Sequence, residues 1–138
     1  MRLKSFSFTV VGLALLVIPS VLPVLPAFAQ EISISSSDGS ATGTINWTGT
    51  KNFNYKITLK SKKGKPVYIE AQGFRDFAPD SSRRRMTGNT TSRNGRKFSN
   101  SFSGSFGELK WTGVYLRVCT DISFRPDKCG ARQAYRRQ

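Results

Sequence analysis

The stretch Phe53-Asn54-Tyr55-Lys56-Ile57-Thr58-Leu59-Lys60 alternates apolar and polar residues without a break. Successive side chains of a β-strand point to opposite faces, so this stretch predicts a strand with one buried and one solvated face. A second alternating run covers residues 67–71. Between the two runs, residues 61–66 contain three lysines, a glycine and a proline, a composition that favours a turn. We therefore predict two neighbouring strands joined as a hairpin.

The same two-residue period recurs along the chain, which favours an all-β fold. Further segments with this pattern are 32–34, 43–47, 98–106, 114–119 and 122–124. No window carries the i, i+3, i+4 apolar stripe of an amphipathic helix, apart from a turn predicted at 131–135. We expect six to eight short antiparallel strands around one core, arranged as a small β-sandwich or a flattened barrel.

Residues 79–97 depart from this alternation. Met86 is the only large apolar residue in the segment, and it stands among Ser, Thr, Asn, Gly and five arginines. Segments of this length without a periodic pattern are typical of binding loops or disordered chain. We predict a flexible, exposed basic loop here.

Residues 1–29 have the features of a secretory signal peptide. Two basic residues within the first four precede an apolar run at 8–18, and Ala27-Phe28-Ala29 is a small-x-small cleavage site. An uncleaved anchor is the alternative, but the run is shorter than the roughly 20 residues that a bilayer span needs. We expect cleavage after Ala29, which leaves one secreted β domain at 30–138 with no transmembrane span.

Cys119 and Cys129 are the only cysteines, with nine residues between them. Export to an oxidising compartment would favour a disulfide bond between the two, with a free reactive thiol pair as the alternative. A lone cysteine pair without further ligands is not a metal signature, so we expect neither a metal nor another cofactor.

The C-terminal part carries a resemblance to a known group of proteins. The run Gly113-Val114-Tyr115-Leu116-Arg117-Val118-Cys119-Thr120-Asp121, followed by Pro126-Asp127-Lys128-Cys129-Gly130, resembles the end of small uncharacterised secreted bacterial proteins. Those proteins finish with a V-x-V-C strand, a short loop and Cys-Gly. The resemblance implies an exported, disulfide-closed β domain in a bacterial host. Most such proteins have no assigned activity, so it implies no catalytic residues.

The net charge of +14 is concentrated in one part of the chain, because residues 51–97 hold 13 basic and 3 acidic side chains. If the lysine-rich strand and turn meet the arginine-rich segment, they form a patch that attracts polyanions over about 8–10 Å at physiological salt. Solubilising charge without a ligand is the alternative. The candidate polyanion contacts are Lys56, Lys60, Lys62, Lys63, Lys65, Arg83, Arg84, Arg85, Arg93, Arg96 and Lys97.

The absence of histidine excludes Ser-His-Asp and Cys-His sites and His-ligated zinc. We expect a small, basic, secreted and non-enzymatic protein that contacts acidic polymers or an anionic envelope surface. No motif predicts specific nucleic-acid recognition. One alternative is a secreted inhibitor or toxin-like module that acts through residues 79–97. The other is a small carboxylate-dependent hydrolase that uses two of Glu70, Asp76, Glu108 and Asp121.

Overall fold

A computed structural model describes residues 29–79, 81–104 and 110–138 of the chain, and all regular structure in these ranges is β. The strands are β1 Gln30–Ser35, β2 Gly39–Trp47, β3 Asn52–Ser61, β4 Val67–Arg75, β5 Ala78–Pro79, β6 Arg84–Arg85, β7 Arg96–Ser103, β8 Gly113–Thr120, β9 Lys128–Cys129 and β10 Gln133–Arg136. These ranges contain no helix of membrane-spanning length and apolarity. Residues 1–28, which make up all but the last residue of the predicted signal peptide, lie outside the described part, as do Phe106 and Glu108.

The strands form two antiparallel sheets. Sheet A has the order β1-β2-β3-β7, and sheet B has the order β10-β8-β4-β5, with β6 also paired to β4 and β9 to β8. The Cys119–Cys129 disulfide joins β8 to β9. The prediction of an all-β fold with one disulfide is therefore confirmed.

The core lies between the two sheets and follows the alternation of β3. Phe53, Tyr55, Ile57 and Leu59 are all buried, whereas the polar residues between them point outward. From sheet B, the core receives Val67, Ile69, Ala71, Val114, Leu116 and Val118. Burial of these apolar faces is the main favourable free-energy term for such a fold, at roughly 25 cal/mol per Å².

The predicted hairpin at 61–66 is wrong, because β3 and β4 lie in different sheets. β3 pairs with β2 and β7, whereas β4 pairs with β8 and with the short strands β5 and β6. The buried faces of β3 and β4 enter the same core from opposite sides, so the chain must cross between the sheets at residues 61–66. At this corner the Ser61 hydroxyl donates to the Lys65 carbonyl oxygen at 2.7 Å. Gly64 has φ +70°, a conformation that glycine adopts without strain.

Part of segment 79–97 has regular structure that the sequence analysis did not expect. β6 pairs with β4, and the Met86 amide donates to the Ile69 carbonyl oxygen at 2.8 Å. Met86 is only 6% exposed, and Thr90 forms an antiparallel bridge with Val67. Without segment 79–97, the outer edge of β4 would have unpaired backbone groups. The segment pairs with this edge and also contributes the Met86 side chain to the core.

Two short predictions near the C-terminus are also wrong. The turn of helix predicted at 131–135 is strand β10, whose Tyr135 is buried and whose hydroxyl accepts a hydrogen bond from the Ser33 amide at 3.2 Å. The strand predicted at 122–124 is a turn within the disulfide loop, where the Arg125 amide donates to the Ile122 carbonyl oxygen. Segments of three to five residues are too short for a sequence period to distinguish these structures.

Candidate basic surface

Three of the candidate lysines lie on the outer face of sheet A, and we call them the lysine face. They are Lys56, Lys60 and Lys97, and all three are exposed. Lys97 pairs with Thr58, which lies between the two other lysines on β3. Diagonal neighbours across antiparallel strands lie about 7–8 Å apart, so Lys97 is close to both. No ion-pair partner for any of the three is found within the described ranges.

The lysine face is continuous with an open groove of about 450 Å³. The groove is lined by Thr44, Asn46, Asn54, Tyr55, Lys56, Ser99, Asn100 and Ser101, and by Ala29, which the predicted cleavage would remove. Cross-strand pairing fixes this arrangement, because Thr44, Lys56 and Ser99 are register partners on three adjacent strands. Glu31 lies on the same face, two strands from Lys56, at a separation of roughly 10 Å. The groove therefore combines one cation with several hydroxyl and amide groups.

The 61–66 corner holds three further candidates, and two of them pair with a buried carboxylate. Asp38 is 2% exposed, and its Oδ1 atom lies 3.2 Å from Lys63 Nζ and 3.7 Å from Lys65 Nζ. The Thr120 hydroxyl donates to Asp38 Oδ2 at 2.9 Å. The third lysine, Lys62, donates from Nζ to the Ser36 carbonyl oxygen at 2.7 Å. Lys63 and Lys65 are thus partly neutralised and serve to hold the β1–β2 turn against the corner.

The hydrogen bond from Thr120 and the ammonium of Lys63 lower the pKa of Asp38 below its usual value. A carboxyl whose pKa is lower in the folded state stabilises the fold above its unfolded pKa of about 3.9, and this stabilisation is lost as pH falls further. We expect Asp38→Asn to lower the melting temperature clearly at pH 5–7. The difference from wild type should shrink as the pH is lowered below about 4.

Thermal unfolding followed by circular dichroism across this pH range measures the effect. Asp76→Asn is the matched control, because Asp76 is exposed on the β4–β5 turn with a positive φ that asparagine tolerates. A loss of melting temperature in Asp38→Asn that stays constant from pH 7 to pH 2 would contradict the assignment.

Part of the arginine-rich segment meets the lysines, as the patch hypothesis requires. A Cβ atom on Gly95 would lie 3.1 Å from Cγ of Lys60, so residues 95–97 pass directly beside the lysine face. A Cβ on Gly64 would lie 3.6 Å from Nε of Arg93, which places this guanidinium at the corner. The two basic regions therefore converge through Lys60, Lys97 and Arg93.

Four other candidate arginines take different positions. The Arg84 guanidinium lies over the Phe102 ring at 5.5 Å and donates to the Ser103 carbonyl oxygen at 2.8 Å, so it links sheet B to sheet A. Arg96 lies over the Phe98 ring at 5.1 Å. Arg83 lines a small recess on the outer face of sheet B. Arginine stacked on a ring contributes to packing as well as charge, so Arg84 and Arg96 contribute to the stability of the fold.

Arg85, the fourth, belongs to a polar cluster that the sequence analysis did not identify. Its guanidinium lies 3.8 Å from the Tyr68 ring centroid, and its Nη2 atom contacts Asp121 and Asp127 at 3.1 and 3.4 Å. The Tyr68 hydroxyl donates to Asp127 at 2.6 Å, and burial together with this carboxylate raises the pKa of Tyr68 to about 12. The cluster ties β6 to the disulfide loop. Charge alternation along a strand could not reveal it, because its members come from three distant segments.

The outer face of sheet B carries a second arginine-rich region outside the predicted set. Arg117 Nε donates a hydrogen bond to Glu70 Oε1 at 2.8 Å, and Arg117 Nη2 forms an ion pair with the same oxygen at 2.7 Å. Arg132 lies over the Tyr115 ring at 4.3 Å, and Arg136 lies over the Phe77 ring at 4.1 Å. The sequence analysis predicted a helical turn at 131–135 and therefore could not place these two arginines on the face of a sheet.

Two of the carboxylates suggested for hydrolysis, Glu70 and Asp121, are paired with other side chains, whereas Asp76 is exposed and its carboxylate has no partner in the described ranges. Glu70 is held by Arg117, and Asp121 accepts hydrogen bonds from Arg85 and Asn89. None of the residues that line the 450 Å³ groove is acidic. The recess beside Glu70 measures only about 10 Å³, room for a single water at most. Glu108 lies outside the described residues.

The inhibitor alternative requires that a protease can reach the Arg85-Met86 peptide bond. Arg85 forms part of strand β6, and the Met86 side chain enters the core. A protease must bind several residues around the scissile bond in extended form, so this bond is poorly placed for capture in the folded protein.

No protein-family model matches the chain, and neither does any curated protein or solved structure. The resemblance to small secreted bacterial proteins therefore stays a prediction, because a single strand–loop disulfide does not carry it. What the chain binds has to be inferred from the surface of the described residues.

Proposed function

We propose that the chain is an exported, non-enzymatic protein that binds acidic polymers of a cell envelope through the lysine face. The observation that carries the proposal is the placement of Lys56, Lys60 and Lys97 on one sheet face without ion-pair partners in the described ranges. Unpaired ammonium groups attract polyanions without first breaking an internal contact.

The groove beside Lys56 supports a polymer of sugar-like chemistry as the ligand. Its hydroxyl and amide groups can donate to and accept from the hydroxyls of an acidic polysaccharide, while the lysines contact its carboxylate or sulfate groups. The groove is open, which suits an extended chain better than a small enclosed molecule. Arg93 and Lys62 extend the positive potential past the corner.

The test uses heparin and polygalacturonate as probes, with binding measured by titration calorimetry from about 20 to about 500 mM NaCl. Wild type should bind at low salt and release the polymer as salt rises. A basic residue near an anionic surface contributes about 1 kcal/mol, so the triple variant Lys56→Gln, Lys60→Gln, Lys97→Gln should lose about 100-fold in affinity at low salt.

The matched control removes three exposed positive charges elsewhere, by Arg75→Gln, Lys110→Gln and Arg136→Gln. Because it has the same net charge as the lysine variant, it separates local contact from overall charge. We expect less than about a fivefold loss in this control. Equal losses in the two variants, or no binding of wild type to either polymer at low salt, would refute the proposal.

A further inference from the structure

Phe124 is the most exposed large apolar residue in the described ranges, with its side chain fully in solvent. It follows Ser123 in the turn closed by the hydrogen bond from the Arg125 amide to the Ile122 carbonyl oxygen. Its φ of +63° is a conformation that glycine or asparagine adopts far more readily. The fold therefore exposes an aromatic ring at a position where the backbone conformation favours glycine or asparagine.

The loop that carries Phe124 is held in place at several points. The Cys119–Cys129 disulfide closes it, and Asp127 accepts hydrogen bonds from the Ile122 amide and the Tyr68 hydroxyl. The Asp121 amide donates to the Pro66 carbonyl oxygen at 2.8 Å, which joins the loop to the 61–66 corner. A restrained loop loses little conformational freedom when its tip is bound.

The ring lies at the end of the sandwich where positive charge accumulates. Thr120 pairs with Val67, and Thr90 bridges to the same residue, so the disulfide loop, the corner and the 89–93 segment share this end. The exposed cations there that lack an ion pair in the described ranges are Lys62, Arg93, Arg125 and Lys128. The nearby carboxylates Asp121 and Asp127 are paired with Arg85.

We propose that this end docks on an anionic lipid bilayer, with the Phe124 ring inserted at the level of the lipid headgroups and the four cations on the lipid phosphates. A single aromatic side chain surrounded by cations matches the bilayer interface, which combines negative charge with an apolar layer beneath. A protein partner would need a wider apolar contact, because stable protein interfaces bury more than about 1,000 Å². The described surface around Phe124 is polar and basic instead.

Phe77 provides a matched control within the same chain. It is the other exposed large apolar residue of the described ranges, at 48%, and it also has a positive φ of +67°. It follows the far end of β4, so the length of that strand, roughly 27 Å, separates it from the Phe124 end. Phe124→Gly and Phe77→Gly thus remove the same ring from the same backbone conformation at opposite ends of the molecule.

The experiment measures sedimentation with vesicles of phosphatidylglycerol and phosphatidylcholine, and with vesicles of phosphatidylcholine alone. Wild type should bind the anionic vesicles and not the neutral ones. Half-burial of one phenylalanine ring predicts about a tenfold loss of affinity for Phe124→Gly, with no loss for Phe77→Gly. In a Phe124→Trp variant, fluorescence should shift to shorter wavelength on the anionic vesicles and be quenched by brominated lipid chains.

The glycine variant should keep or raise the melting temperature, because glycine relieves the positive φ, and Phe124→Asn serves as a second variant that tolerates the same conformation. Equal vesicle binding by wild type and Phe124→Gly, equal losses in both glycine variants, or no binding to anionic vesicles would overturn the proposal. Heparin binding by Phe124→Gly should match wild type, so failure here and failure of the lysine-face proposal are distinguishable.

Discussion

Replacement of Trp111 by alanine is expected to lower the free energy of unfolding by about 3–5 kcal/mol, the range for a large buried aromatic side chain. Trp111 is 2% exposed and belongs to the core cluster between the sheets. Its indole fits against two glycines, because a Cβ on Gly73 would lie 2.0 Å from Cε2 and a Cβ on Gly104 would lie 2.6 Å from Cη2. Alanine would leave a cavity that β-sheet backbone on either side cannot fill by collapse.

Urea unfolding followed by circular dichroism measures this loss as a lower midpoint concentration of urea. Thermal unfolding measures it as a melting temperature lower by roughly 4–8 °C per kcal/mol. Trp47→Ala is the control, because Trp47 is only partly buried and packs edge-on against Phe53 at the rim of the core. Its cost should be smaller. The converse change, Gly73→Val, should also destabilise, since it forces the indole out of its site. If the free energy of unfolding of Trp111→Ala lies within about 1 kcal/mol of wild type, the effect is as small as that of a surface substitution. That result would contradict the burial of the indole.

Removal of the disulfide by Cys119→Ala together with Cys129→Ala is expected to cost about 2.7 kcal/mol, the loop-closure value for a loop of this length. Alanine is the suitable replacement at Cys119, which is fully buried, because serine would place an additional hydroxyl in a site closed to solvent. The loop should retain its contacts from Asp127 to Tyr68, so the variant is expected to fold with a lower unfolding midpoint.

Treatment with a reducing agent distinguishes the effect of losing the disulfide bond from the effect of replacing the two side chains. It should lower the midpoint of wild type by about the same amount and leave the double-alanine variant unchanged. Wild type that unfolds at the same denaturant concentration with and without reductant would show that the bond contributes nothing to the free energy of unfolding. If the double variant loses vesicle binding but still binds heparin through the lysine face, vesicle binding requires a rigid Phe124 loop.

The alternation of residues 53–60 was sufficient to predict β3 and its buried face, and the pattern at 114–119 did the same for β8. A strand buried on one face carries its period in its own residues, because each side chain must match the side of the sheet on which it falls. The prediction was wrong at residues 61–66. Their turn chemistry is compatible both with a hairpin and with a crossing between sheets, and only the choice of pairing partners separates the two.

The candidate basic surface was likewise predictable from the sequence only in part. Sequence spacing was enough to place Lys56 and Lys60 on one solvated face, since they stand four residues apart on a single strand. It could not show that Lys63 and Lys65 contact Asp38, because that carboxylate is more than twenty positions away. Nor could it place Arg85 between Tyr68 and the disulfide loop.

Local order in the chain was enough to predict that this protein is all-β, that its rings and aliphatic side chains fill one core, and that its charge is concentrated at 51–97. The tertiary structure alone decided which sheet each strand joins, which cations are neutralised, and that Phe124 stands bare at a basic end. Periodicity is a property of neighbours along the chain and can be read there. Ion pairs and exposed tips depend on distances between remote segments, and those distances exist only after the two sheets have packed.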